Sequence, residues 1–298
     1  GVRETVSSEG KIPMLRVAVP NKGALHEPAT ELLSESGYAR RTSSKELVLV
    51  DSDNGVEFFF LRPRDIATYV GTGTVDVGVV GEDMLIDSGT PADIIVRLGF
   101  ARSTFRFAAP APTDRNESSL EGARIATSYE GLVEAHLAQL GVSADVVHLD
   151  GAVESAIRLG IADVIADVVE TGSTLRAAGL ATFGEPIMKS EAVLFSRPGL
   201  DLAQDAAHTL DVLVRRLKSV LVARDYVLLD YDIPESLVEG AVAITPGFES
   251  PTVAPLHGRD WCAVRAMVAR KGLHDVMDRL YDAGARAILV TDIQACRI

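Results

Sequence analysis

The chain has 298 residues, and its 29 Lys and Arg against 42 Asp and Glu leave a formal charge of −13. That balance excludes duplex nucleic acid and anionic membrane surfaces as principal partners, because both demand clustered positive charge. Small anions held by a few cations, backbone amides or a metal stay open. Cys262 and Cys296 are too far apart in sequence for a disulfide framework or a metal-ligand spacing, which suits a reduced, cytoplasmic setting, and no run approaches the ~18 apolar residues of a membrane span.

Residues 1–13 are polar and read as a tag remnant or disordered leader. From Met14 onward, segments rich in β-branched residues alternate with segments of helical period, the grammar of an α/β domain with a mainly parallel sheet. Strands are expected at 15–19, 46–50, 56–61, 75–80, 94–98 and 104–110, with helices at 24–36 and 64–70. The polar stretch 111–122 reads as a linker between two lobes. The pattern then restarts, with strands at 124–127, 145–149 and 163–168 and helices at 129–140 and 152–159. Residues 65–81 and 152–168 share a helix–Gly–Asp–strand order, a faint internal echo.

A long amphipathic helix is expected over 201–225. Beyond it the order strand, helix, two strands, helix, strand is the ferredoxin-like βαββαβ plan, with an open sheet that favours pairing with another copy. The division predicted is therefore 1–13 leader; 14–110 first lobe, to which strands near 181–196 can return; 111–200 second lobe; 201–225 connecting helix; and 226–298 a last domain.

The residues that can carry chemistry gather at strand ends, where open α/β sheets bind ligands. The stretch ADVVETGSTL at 166–175 runs an apolar strand into Glu170, Thr171, Gly172, Ser173 and Thr174. Gly172 permits a tight turn, and the amides and hydroxyls that follow can surround a phosphate. Asp163 and Asp167, four apart, would share a strand face, and carboxylates there suit ribose hydroxyls or Mg²⁺. Read alone, the same pattern is also an ordinary N-capped strand–turn–helix. Asp150 and Glu154 form a second acidic pair, equally readable as helix caps. Lys22, Arg62 and Arg64 supply cations at two more strand ends, and Asp83 a carboxylate that either accepts from a base amino group or caps a helix.

RVAVPNKGAL at 16–25, FFFLRPRDI at 58–66, DVGVVGEDML at 76–85, DGAVE at 150–154, ADVVETGSTL at 166–175 and TPGFESPT at 245–252, in that order, resemble the ATP phosphoribosyltransferase family in its long form. The tail AGARAILVTDI at 283–293 resembles the end of that form's regulatory domain. The resemblance implies two periplasmic-binding-protein-like lobes with a site between them and a C-terminal ferredoxin-like regulatory domain. It implies transfer of the 5-phosphoribosyl group from 5-phosphoribosyl 1-pyrophosphate to N1 of ATP, with Mg²⁺, as the first step of histidine biosynthesis.

Carried over by motif, Glu170, Thr171, Gly172, Ser173 and Thr174 would hold the 5-phosphate, and Glu154 and Asp167 would lie at the sugar and metal. Lys22, Gly23, Arg62 and Asp83 would take the nucleotide and pyrophosphate side. Asp232, Ser250, Thr252 and Ala287 would contact histidine as an inhibitor, in a homo-oligomer ranging from dimer to hexamer. A non-catalytic solute-binding protein and an inactive regulatory subunit are the rival readings, since fold does not fix function.

Overall fold

The computed structural model describes residues 13–298, so the leader expected over 1–13 lies, but for Pro13, outside the described residues. The chain forms two compact units, residues 1–214 and 215–298.

The first unit holds two sheets. β1 (Leu15–Pro20), α1 (His26–Glu35), β2 (Val48–Asp51), β3 (Val56–Leu61), α2 (Pro63–Gly71), β4 (Val77–Gly81), α3 (Glu82–Asp87) and β5 (Asp93–Arg97) come first. β6 (Ser103–Pro110), β7 (Arg124–Thr127), α4 (Glu130–Leu140), β8 (Asp145–His148), β9 (Val164–Val169), α5 (Ser173–Ala177), β10 (Leu180–Ser190) and β11 (Ala192–Ser196) follow. The first sheet has the order β2-β3-β1-β4-β11-β5 and the second β10-β6-β9-β7-β8. In each, three neighbouring strands are parallel, β3-β1-β4 and β9-β7-β8, so their carboxyl ends share one edge.

The crossover between lobes corrects the expected boundary at 111–122. β6 already pairs with β9 and β10, so the chain leaves the first sheet after Arg97 and enters the second at Ser103. It returns at 190–192, where β11 runs antiparallel between β4 and β5. Of the strands near 181–196, β11 returns to the first sheet while β10 stays in the second. The polar stretch 111–122 instead belongs to the second lobe, where Asn116 and Ser119 cap a short 3₁₀ turn at Glu117–Leu120.

Each lobe is held by apolar residues at the expected periods. In the first, Ile66, Ala67 and Val70 of α2 pack on Ala18, Val80, Val193 and Phe195. Gly78 makes this approach possible, since a Cβ there would lie 2.6 Å from Ile66 Cγ2. In the second, Leu132, Val133 and Leu137 of α4 cover Phe105, Phe107 and Phe183. The helix expected over 152–159 is absent. Gly151 and Ala152 take positive φ and Gly160 does so again, leaving a 3₁₀ turn at Val153–Ser155 followed by turns, so the echo with 65–81 fails at its helix.

The two lobes meet at α3 and α4. Asp87 accepts the Leu132 N–H at 3.0 Å, capping α4 from the other lobe, and pairs with Arg64. Arg64 also donates to the Ser128 carbonyl at 3.2 Å and lies 4.6 Å over the Tyr129 ring. Gly131 allows the approach, because a Cβ there would stand 2.3 Å from the Asp87 carbonyl oxygen. These contacts join loops that follow β3, β4 and β7, so the carboxyl edges of the two sheets face each other.

α6 (Gln204–Asp225) is the long helix expected, and the boundary between the two units falls within it. The second unit continues with β12 (Tyr226–Pro234), α7 (Val238–Ile244), β13 (Thr252–Pro255), β14 (Trp261–Ala269), α8 (Leu273–Asp282) and β15 (Arg286–Asp292). Its sheet order β13-β14-β12-β15, antiparallel throughout, is the ferredoxin-like arrangement. Leu229, Tyr231 and Ile233 face Val238, Ala241 and Leu280 of the two helices. The buried Tyr231 hydroxyl is satisfied by Thr245 Oγ1 at 2.8 Å.

Replacing Asp87 with Ala removes a helix cap and an ion pair together and should cost about 2 kcal/mol, read as a lower urea midpoint in full-chain unfolding. Asp87→Asn keeps an acceptor for Leu132 and should recover about half of that loss.

Candidate functional site

β1 and β3 end in register, Pro20 opposite Leu61, and the Asn21 N–H extends the ladder to the Leu61 carbonyl at 2.8 Å. Lys22 and Arg62 therefore follow neighbouring strand ends. Both are exposed, and neither side chain has a partner among the described residues. Gly23 has a φ of +81°, with no atom within 4 Å of where a Cβ would stand, so the turn leaves open space above the sheet edge. Arg64, by contrast, is committed to Asp87 and Ser128, so it joins the lobes rather than standing free beside Arg62.

Asp83 is only 8% exposed. Its own N–H donates to Ser190 Oγ at 3.0 Å, its carboxylate takes the Met84 N–H at 2.9 Å, and its charge is felt by the Tyr129 phenol. Burial, then the nearby Asp83 charge, push the Tyr129 hydroxyl up to about 12, so it remains a donor at neutral pH. A Cβ on Gly81 would overlap the Asp83 carboxylate, so the glycine makes room for this placement. Asp83 thus meets the other lobe through Ser190, a partner the sequence did not announce.

In the second lobe, loops 128–129, 149–154 and 170–174 leave the carboxyl ends of β7, β8 and β9, side by side. Gly172 takes a φ of +76° and α5 starts immediately after it. Thr171 Oγ1 and Ser173 Oγ lie 3.0 Å apart. Glu170, Thr171, Ser173 and Thr174 are exposed. A Cβ on Gly172 would stand 3.1 Å from a guanidinium nitrogen of Arg176, so that cation lies beside the loop. Sequence reasoning missed Arg176, although its place one turn into the helix was a usable signal.

Asp167 is half-buried, and burial is the main reason its carboxyl is held above the ordinary value of 3.8. Its Oδ1 accepts the Val168 N–H at 2.8 Å, which works the other way, and the charge of Glu154 adds to the upward shift. Glu154, on the 3₁₀ turn, is therefore close enough to repel it electrostatically. Both stand toward the carboxyl edge of the sheet, whereas Asp163 precedes β9 at its opposite end, ~13 Å along the strand from Asp167. Asp163 is bound there by Arg124, with the guanidinium at 3.0 Å. Hydrogen bonds from that arginine hold its carboxyl below the usual range.

A cavity of about 830 Å³ opens where β9 and β10 reach the interlobe crossings, lined in part by Arg102, Ser103, Thr104, Glu170, Lys189 and Ser190. The residues of the crossings were missed because the crossings themselves were misplaced in sequence.

In the second unit the four positions expected to contact histidine do not converge in one chain. Asp232 lies on β12 and pairs with Arg286 of β15, beside the bulge that gives Ala287 its φ of 50°. Thr252 is on β13, separated from β12 by β14, and pairs with Arg265. Ser250 precedes that strand in an exposed loop. Thr252 and Asp232 share the open face of the sheet, two strand spacings across and two residues along, or ~12 Å apart.

Residues 62–219 match the family described as HisG: ATP phosphoribosyltransferase, and residues 223–295 match the HisG C-terminal domain. The chain is 61% identical over 285 residues to the ATP phosphoribosyltransferase of Pseudarthrobacter chlorophenolicus, covering 96% of this chain and 100% of that protein. It is 59% identical to the one from Salinispora tropica, with the same coverage. Among solved structures, the ATP phosphoribosyl transferase (HisG:HisZ) complex from Thermotoga maritima superposes with a TM-score of 0.58 at 25% identity, covering 69% of this chain and 96% of that one. Two α/β lobes joined by two crossings and a separate ferredoxin-like unit, read together with these matches over nearly the whole chain, establish that it belongs to the ATP phosphoribosyltransferase family of histidine biosynthesis.

Proposed function

We propose that the chain transfers the 5-phosphoribosyl group of 5-phosphoribosyl 1-pyrophosphate to N1 of ATP, releasing pyrophosphate and 1-(5-phosphoribosyl)-ATP. The observation that carries this reading is the paired acids Glu154 and Asp167 beside the loop 170–174, opposite an edge bearing Lys22 and Arg62. Attack by adenine N1 forms the N1–C1 bond while the C1–O bond breaks, its electron pair leaving with pyrophosphate. Positive charge rises on the ribose ring and negative charge on the leaving group. Such a reaction needs no covalent nucleophile, only alignment and electrostatic stabilisation.

Glu170, Thr171, Gly172, Ser173 and Thr174 hold the 5-phosphate through backbone amides and hydroxyls, with Arg176 alongside. Asp167 and Glu154 face the ring, where their charge stabilises the developing oxocarbenium. Lys22 and Arg62 attract the nucleotide and pyrophosphate phosphates, Gly23 leaving space for close approach. Asp83, held by Ser190 across the lobes, borders the nucleotide.

Mg²⁺ fits the same carboxylates. Glu154 and Asp167 would hold it, since Mg²⁺ is commonly held by one or two carboxylates with substrate phosphates completing its shell. When bound it supplies charge neutralisation for the departing pyrophosphate. Histidine is the proposed inhibitor, acting through the second unit, and the active form is a homo-oligomer.

The direct test mixes the protein with ATP, 5-phosphoribosyl 1-pyrophosphate and Mg²⁺ and follows phosphoribosyl-ATP by absorbance, with and without histidine. Product formation that histidine suppresses is expected. No product would favour a solute-binding role, and product insensitive to histidine would remove the regulatory reading alone.

Gly172→Val places a β-branched side chain at a left-handed φ and against Arg176, and should weaken 5-phosphoribosyl 1-pyrophosphate binding at least about tenfold, ~1.4 kcal/mol, by titration calorimetry. Unchanged affinity would take the loop out of the site.

Asp167→Asn should lower turnover yet raise the melting temperature of the ligand-free protein at pH 7. The sign follows from the raised folded-state pKa. Folding penalises the charged form, the penalty is absent below the unfolded value near 3.8, and it grows as pH rises through the folded one. The thermal gain should therefore shrink as the buffer is taken down towards that value.

A further inference from the structure

The row of side chains that crosses the second sheet beside the phosphate loop ends in a cation that nothing described so far uses. β10 pairs with β6 so that Lys189 lies opposite Thr104, and β6 pairs with β9 so that Thr104 lies opposite Val169. Residues directly opposite one another in a sheet project to the same face, and that face repeats every second residue. Lys189, Thr104 and Val169 therefore share the face of Asp167, with Glu170 and the loop continuing from Val169.

The cavity of about 830 Å³ lies over this row, with Lys189 and Arg102 as the cations in its lining. Arg102 is engaged by Glu191 at 3.5 Å, and Glu191 is approached by Arg97 as well at 3.7 Å. Lys189 is exposed, and its ammonium has no hydrogen bond or ion pair among the described residues. The cavity thus combines a spent acid–arginine group, an uncommitted ammonium and the Thr104 hydroxyl next to it.

We propose that Lys189, with Thr104, forms a second anion subsite that takes the pyrophosphoryl end of the phosphoribosyl donor. This rests on the phosphoribosyl-transfer reading and deepens it. From Val169 to Lys189 is two strand spacings, ~10 Å. The donor carries its 5-phosphate and its pyrophosphate at opposite ends of the ribose, so one molecule can reach the loop and the lysine together. As the C1–O bond breaks, the electron pair passes to pyrophosphate, and a compact ammonium at that end meets the charge that develops.

Lys189 is exposed, so its replacement leaves the core untouched. The test is titration calorimetry of the full-length wild type, Lys189→Gln and Lys189→Arg with three probes: inorganic pyrophosphate, ribose 5-phosphate and ATP, each with Mg²⁺. Pyrophosphate should bind Lys189→Gln about tenfold more weakly and Lys189→Arg within about threefold of wild type, with ribose 5-phosphate unaffected in both. Pyrophosphate affinity equal in wild type and Lys189→Gln, or no pyrophosphate binding to wild type, would overturn the subsite. A loss confined to ATP would assign the lysine to the nucleotide instead and overturn it too. Because pyrophosphate reads the subsite without turnover, a wild type that binds it but makes no phosphoribosyl-ATP would count against the transfer reading and leave the anion subsite standing.

Discussion

The carboxylate of Asp87 belongs to the first lobe and hydrogen-bonds the helix start of the second. It is 10% exposed and paired with Arg64, so it acts where water competes weakly, and its two roles reinforce each other. The arginine neutralises it, and the helix N-terminus, partly positive, prefers it charged. Gly131 is what lets the two backbones come close enough for this contact. Because the joint ties loops that follow β3, β4 and β7, it also sets which strand edges face one another. A cleft between two sheets can be lined by any pair of edges, and here it is the carboxyl edges, where loop amides and short helix starts point outward. Asp83 and Ser190 form a second tie beside the first, closer to the crossings.

Most secondary structure was legible from period and punctuation. Strands such as β3, β4 and β6 lie within a residue or two of their expected limits, because buried β-branched and aromatic runs bounded by Gly, Pro or Asn have few other solutions. What failed was non-local. The polar stretch 111–122 has linker composition, yet the lobes change at 98–102, an unremarkable sequence, because β11 returns from far along the chain to sit antiparallel between β4 and β5. No local pattern carries that information. The expected helix at 152–159 was a failure of a different kind. Its composition allows a helix, but positive φ at Gly151, Ala152 and Gly160 closes it into turns that bring Glu154 toward Asp167.

The candidate site was legible as a set of motifs and not as a set of partners. Lys22, Arg62, Asp167 and the 170–174 loop stand at strand ends, as alternation of strands and helices demanded. Asp163 shared a sequence spacing with Asp167 that would suit a common face, but the strand begins one residue later, and Arg124 holds the acid at the far edge. Arg64 and Arg62 looked equivalent in sequence, and only the approach of α4 separates them, committing one to the joint and leaving the other exposed. Asp232 and Ala287 stand near each other on β12 and β15, while Ser250 and Thr252 lie beyond β14, since strand order in the last sheet intervenes between the two pairs.

The net charge of −13 would oppose polyanionic ligands if it acted as a whole. It does not, because at physiological salt charges more than about 8 Å apart across solvent are largely screened, and a ligand at the strand edges responds to what stands there. At those edges Lys22, Arg62, Arg176 and Lys189 are exposed, while Asp83 is hydrogen-bonded and Asp87 ion-paired. Of the acids that remain close, Asp167 is half-buried and disfavoured in its charged form by that burial and by Glu154. The folded chain therefore carries an electrostatic strain at Asp167, with Glu154 and the exposed Glu170 adding negative charge nearby. Positive charge arriving there, whether from a metal ion or from a ribose ring losing its leaving group, relieves that strain. An arrangement that costs stability in the empty protein is the one that favours a cationic centre at the ring, and the surrounding packing of Ile165, Ala108 and Leu175 is what holds the acid in place despite the cost.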